Sequence, residues 1–67
     1  MPVVRVTFYQ GRSVQQKREL AEAITEAMVR IAGSKREAVN VIFDNVAKDD
    51  WVIGGIPEVA ESKRPSG

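Results

Sequence analysis

From Val3 to Tyr9 the side chains alternate, with Val4, Val6 and Phe8 on one side of an extended chain and Val3, Arg5, Thr7 and Tyr9 on the other. One row is wholly apolar and the other mixed, so the pattern predicts a strand. Gln10-Gly11-Arg12 interrupts that period, and Ser13-Val14-Gln15-Gln16 then carries a capping-box signature, a hydroxyl followed three residues later by glutamine. A helix begins there. Leu20, Ile24, Ala27, Met28 and Ile31 recur as one apolar stripe, while Lys17, Arg18, Glu19, Glu22, Glu26 and Arg30 lie mostly elsewhere, and Gly33 ends the helix. Ser34-Lys35-Arg36-Glu37 repeats the cap pattern with room for only a single turn. Val39 to Val46 reads as a second strand, with Asn40, Ile42 and Asp44 sharing a face. Beyond the polar Ala47-Lys48-Asp49-Asp50, the segments Trp51-Val52-Ile53, Gly54-Gly55 and Ile56-Pro57 predict a small hairpin. Residues 61–67, charged and then rich in Pro, Ser and Gly, read as a frayed tail of a single domain spanning 1–67.

Strand, long helix and strand make a βαβ unit, whose crossover sets the two strands parallel and right-handed. A helix of about nineteen residues spans ~28 Å, enough to return the chain past a strand of seven or eight residues at ~3.3 Å each. The predicted class is therefore α/β, a βαβ unit with a parallel strand pair and a C-terminal hairpin. One helix covers one sheet face, and parallel sheets normally have both faces buried. The face carrying Val3, Thr7 and Ile42 is thus expected to pack against other copies of the chain.

Composition strengthens that expectation. A chain of 67 residues is marginal as a lone fold, because domains of this size bury only about 60% of their unfolded surface. There is no cysteine and no histidine, so disulfides and the usual zinc or iron–sulfur ligands are missing. Assembly remains, and 43% apolar content supplies surface for it. The net charge of +1 suggests neither nucleic acid nor membrane as a partner. With no apolar run near the ~20 residues of a membrane span, and no signal-peptide pattern, a cytoplasmic protein is expected.

Candidate chemistry starts at Met1-Pro2. If Met1 is removed, Pro2 places a secondary amine at the head of a rigid strand, and α-amino groups titrate at roughly 7.7 to 8.0 or somewhat higher for a proline ring. Modest burial or nearby cations would keep it unprotonated at neutral pH. Alone, Pro2 reads more simply as a proline opening an edge strand, where its missing donor costs nothing. Arg12, in the connector beside Gly11, can present a planar fork to a carboxylate, although by itself it reads as a solvated arginine. Pro2 and Arg12 lie at opposite ends of a strand, on the order of 23 Å apart, so a site using both has to be built across a subunit boundary. Trp51 reads as a core or interface residue or as the wall of a pocket, and Asn40 as a hydrogen-bonding residue at a strand start.

Pro2 directly after Met1, a β-branched strand, Gly11-Arg12-Ser13 followed by Gln16-Lys17, a helix, a second strand, Ala47-Lys48 and the Ile53-Gly54-Gly55 hairpin together resemble the 4-oxalocrotonate tautomerase family. The resemblance runs from Pro2 to about Ile56. It implies a hexamer built as a trimer of dimers, a role in aromatic degradation, and interconversion of enol and keto forms of 2-oxo acids such as 2-hydroxymuconate without cofactor or metal. It implies Pro2 as general base and a neighbouring subunit's Arg12 as the holder of the distal carboxylate. Trp51 stands where the family commonly has an apolar phenylalanine wall, and at Tyr9 the backbone N–H would hold a carbonyl oxygen. One position departs: where the best-known members carry a second arginine, this chain has Asn40, which can donate a hydrogen bond but brings no charge. Arg5, Lys35 or Arg36 are the candidates to compensate, Arg5 first because it lies on the outer face of the first strand. Two alternatives stand beside this reading, a hydratase or dehalogenase of the same superfamily using Asp49 or Asp50, and a low-activity subunit of a mixed hexamer.

Overall fold

The computed structural model describes residues 1–58, and the tail expected at 61–67 lies outside the described residues. Strand β1 (Val3–Tyr9) leads into helix α1 (Val14–Ala32), then a 3-10 turn (Arg36–Ala38), strand β2 (Asn40–Val46), a second 3-10 turn (Lys48–Asp50) and the short strands β3 (Val52–Ile53) and β4 (Ile56–Pro57). β1 and β2 pair in parallel, with Val3 opposite Asn40 and Tyr9 opposite Val46. The hairpin β3–β4 is antiparallel and forms a separate two-stranded sheet.

Local sequence accounts for each element. Ser13 accepts a hydrogen bond from the Gln16 N–H and the Gln16 side chain accepts one from the Ser13 N–H, the reciprocal pair that satisfies two orphan donors at a helix start. At the other end the Gly33 and Ser34 N–H groups both close on the Met28 carbonyl. The second cap pattern behaves differently: its turn starts at Arg36 behind Lys35, with no side-chain capping bond, so the Ser34 hydroxyl is not used as a cap. Arg36 itself is held by Glu22 and Glu26 of α1, which ties the turn to the helix. In the hairpin, Ile53 pairs with Ile56 across Gly54 and Gly55, whose φ values of 60° and 83° are those of a type I′ turn.

Packing follows the strand alternation. Val4, Val6 and Phe8 of β1 and Val41 and Phe43 of β2 are half-buried on the face that α1 covers, where the Phe8 and Phe43 rings stack at 5.6 Å. Among the described residues the opposite face is largely open. Among the described residues no side chain is fully buried, and Val3 (53%) and Ile42 (40%) on the open face, Ile31 (74%) at the end of α1, and Val52, Ile53 and Ile56 of the hairpin all expose apolar surface. Apolar side chains left exposed on a sheet face and a hairpin of so small a chain favour burial against another copy. No helix among the described residues is long and apolar enough to cross a membrane.

Across the open face runs a polar bridge that the sequence alone did not pair. Arg5 donates to both Asp44 carboxylate oxygens, at 2.7 and 3.2 Å, and the Thr7 hydroxyl donates to one of them at 3.3 Å. The Arg5 hydrogen bonds hold the Asp44 carboxyl below its ordinary range. A carboxyl whose folded-state value is depressed stabilises the fold above its unfolded value and loses that contribution as pH falls through the folded one. Acid unfolding followed by circular dichroism is therefore expected to show a small stability loss below about pH 4 that Asp44→Asn reduces.

Candidate active site

The structure sorts the candidate residues into two groups at opposite ends of β1. At the start of the sheet, the Asn40 N–H donates to the Pro2 carbonyl at 2.9 Å, extending the parallel ladder to Pro2, which is half-buried. The Asn40 side-chain amide turns back and donates to the Ala38 carbonyl at 3.1 Å. Pro2 and Asn40 are thus neighbours, but the amide is engaged by its own loop.

At the far end stand Tyr9, Arg12 and Trp51. Gly11, at φ 123°, turns the chain between β1 and α1 in a conformation that side chains rarely adopt. Arg12 consequently folds back over the strand it has just left, donating from Nη1 to the Tyr9 carbonyl at 2.9 Å, with its guanidinium carbon 4.6 Å from the Phe8 ring centre. A guanidinium fixed by one hydrogen bond and one aromatic face is held in position and still has donors to spare. Trp51 meets Tyr9 edge to face at 4.6 Å, and its backbone is anchored at both ends, donating to Lys48 at 3.2 Å and accepting from Glu58 at 2.8 Å. The Lys48 ammonium lies 5.5 Å from the Tyr9 ring centre.

Two clefts flank this end. One, of about 120 Å³, lies on the helix side between Phe8, Arg12, Gln16, Lys17 and Leu20. The other, wide open at about 300 Å³, lies on the far face between Thr7, Val46, Asp50, Trp51 and Val52. Lys17, Lys48 and Asp50 join the site's surroundings here. Sequence reasoning gave Lys17 no role beyond a motif position, because its approach to Arg12 depends on the backbone turn at Gly11.

The compensation expected from Arg5 is corrected by the same geometry. Arg5 is committed to Asp44 and Arg36 to Glu22 and Glu26, each a charge-assisted contact that a substrate would have to displace. Lys35 is exposed and has no ion pair among the described residues.

This is a βαβ chain with a type I′ hairpin and a guanidinium fixed beyond the end of its first strand, and comparison with known proteins gives the class a name. Residues 2–59 match the family model described as "Tautomerase enzyme". A probable tautomerase of Ralstonia nicotianae is 35% identical over 65 residues, covering 97% of this chain and 93% of that protein. The crystal structure of TomN, a 4-oxalocrotonate tautomerase homologue in the tomaymycin biosynthetic pathway, superposes with a TM-score of 0.87 at 37% identity, covering 97% of this chain and 100% of TomN. A heterohexamer 4-oxalocrotonate tautomerase from Chloroflexus aurantiacus superposes at 0.80 with 34% identity, over 88% of this chain and 95% of that one. The protein is an isomerase, a tautomerase, and it belongs to the 4-oxalocrotonate tautomerase family.

Proposed function

We propose that this chain, once Met1 is removed, is a cofactor-independent tautomerase of a 2-hydroxydienoate or 2-oxo acid such as 2-hydroxymuconate, with the Pro2 nitrogen as general base. The observation that carries the reading is the split just described. Arg12, Tyr9 and Trp51 are gathered at one end of β1 and Pro2 heads the other, so that one copy offers the base and another the anchor. Copies assemble because no side chain among the described residues is fully shielded in one chain, and the proposed particle is a homohexamer arranged as a trimer of dimers.

Each residue then has a task. Pro2 takes the proton from the enol hydroxyl or a carbon and returns it to another carbon, leaving the atom count of the substrate unchanged. A positioned base of this kind is worth about a hundred- to ten-thousand-fold. Arg12 from a neighbouring copy holds the distal carboxylate, its fork preset by the Tyr9 carbonyl and the Phe8 ring. Trp51, stacked on Tyr9, walls the site and keeps water from the amine, which favours its neutral form. The Tyr9 N–H is the proposed donor to the substrate's carbonyl oxygen.

Asn40 sets the rate. Its amide is spent on Ala38, so the electron-withdrawing contact that an arginine would make at the 2-oxo end is absent. Asn40→Arg is expected to raise kcat/KM on the diacid about tenfold to a hundredfold, in line with a charge-assisted bond replacing none. The primary assay is ketonisation of 2-hydroxymuconate, followed by its ultraviolet absorbance on protein whose intact mass shows Met1 removed. Decay no faster than in buffer would defeat the proposal.

A second reading has one observation of its own. Asp50 lines the open cleft beside Trp51, so a carboxylate that could activate water stands there. A hydrated product, rather than a ketonised one, would favour the hydratase. A mixed hexamer, as in the Chloroflexus protein, would instead show wild-type homomers inactive until a sister chain carrying the arginine is added.

A further inference from the structure

The cleft on the helix side holds two positive charges and no negative one. Arg12 and Lys17 line it together, with Phe8 and Leu20 as apolar walls. Lys17 is half-buried, unusual for a lysine, whereas Arg18, Arg30, Lys35 and Lys48 are exposed. Three acids of α1 have partners elsewhere: Glu19 accepts from Gln15 at 3.0 Å, and Glu22 and Glu26 hold Arg36. The first turn of α1 has no acidic residue at all. Among the described residues neither Arg12 nor Lys17 has a carboxylate within ion-pair distance. Two like charges facing one small cleft repel each other when it is empty and both attract an anion that enters, so the arrangement favours the occupied state.

From this geometry we infer that Lys17 is a second anion-binding cation of the Arg12 cleft and sets the enzyme's preference for substrates with a distal carboxylate. This rests on the proposed role of Arg12 and extends it. The guanidinium, fixed on Phe8 and the Tyr9 carbonyl, supplies the directional contact. The ammonium on its flexible stem supplies a second charge from the other wall. Charge missing at Asn40 is thereby replaced at the opposite end of the substrate. The expected consequence is an enzyme selective for diacids through KM, with kcat still limited by the uncharged 2-oxo end.

Binding can be read without turnover by isothermal titration calorimetry, which needs no reporter beside the cleft. The protein is titrated with trans,trans-muconate, a dicarboxylate, and with sorbate, its monocarboxylate counterpart of equal length. Wild type is expected to bind muconate about tenfold more tightly than sorbate, and Lys17→Gln to lose about five- to tenfold in muconate affinity with sorbate unchanged, the size of a partly exposed charge-assisted contact. Lys17→Arg, which keeps the charge, should retain the preference. Equal binding of the two acids by wild type, an unchanged muconate affinity in Lys17→Gln, or an equal loss for both acids would each overturn the inference. Ketonisation is measured on the same samples. A Lys17-dependent muconate preference in a protein that turns over no enol would defeat the proposed reaction and leave this subsite standing, whereas normal turnover with no Lys17 effect would defeat the subsite alone.

Discussion

Pro2→Ala is expected to lower kcat/KM for 2-hydroxymuconate by about a hundred- to ten-thousand-fold, with the circular dichroism spectrum and the assembly state unchanged. The substitution leaves an amine but removes the ring that fixes it at the head of β1, where the Pro2 carbonyl is held by the Asn40 N–H. A proton transfer depends steeply on the position of the base, so a freely rotating primary amine should recover only part of the rate. In wild type, kcat/KM should rise with pH through the amine's own titration, because only the unprotonated form accepts a proton. A preparation retaining Met1, identified by intact mass, has an amide nitrogen at Pro2 and should fall to the buffer rate. Equal rates in Pro2→Ala and wild type would remove the base from the mechanism.

Arg12→Ala should cost the diacid about a hundredfold in kcat/KM, mostly through KM, and leave a monoacid analogue nearly unaffected. Arg12 also touches Phe8 and the Tyr9 carbonyl, so a purely structural loss would lower both substrates together. That split separates anchoring from packing. A stronger test uses the geometry of the site. Pro2 and Arg12 lie at opposite ends of a seven-residue strand, so the proposed site takes each from a different copy. Refolding an equal mixture of Pro2→Ala and Arg12→Ala chains should therefore regain activity, up to about a quarter of wild type for random mixing, because some sites receive both intact residues. If each site came from one chain, the mixture would stay inactive.

The exposed apolar surface makes assembly the condition of both results. Among the described residues Val3 and Ile42 on the open sheet face, and Val52, Ile53 and Ile56 on the hairpin, keep much of their apolar surface exposed. The Arg5–Asp44 bridge lies on that open face, where burial by another copy would make its geometry matter more than it does in one exposed chain. In the proposed assembly, catalysis and stability depend on the same contacts.

What could be read from the amino acids was what depends on neighbours in the chain. Alternation fixed the faces of β1, Ser13 and Gln16 three residues apart fixed the start of α1, and Gly54-Gly55 fixed the turn of the hairpin. Those signals act through one or two turns of backbone, so no partner from elsewhere is needed to interpret them. Resemblance to a family supplied the candidate residues of the proposed site, and the strand length already implied that Pro2 and Arg12 could not meet in one copy. Arg5 shows where such reasoning stops: a cation on the right face was a reasonable stand-in for the arginine missing at Asn40, until pairing brought Asp44 against it.

Sequence alone therefore determined the two long strands, the helix, the hairpin, their order and the parallel crossover, because hydrophobic period, caps and turn glycines are local; the 3-10 turn at Lys48–Asp50 reads only as a polar connector. Only the tertiary structure decided that Arg5 and Asp44, 39 residues apart, are partners, that the Asn40 amide is spent on its own loop, and that Lys17 shares a cleft with Arg12. The first is set by strand register and the last by the turn at Gly11, and a shift of one residue in the register would send the strand side chains to the opposite face.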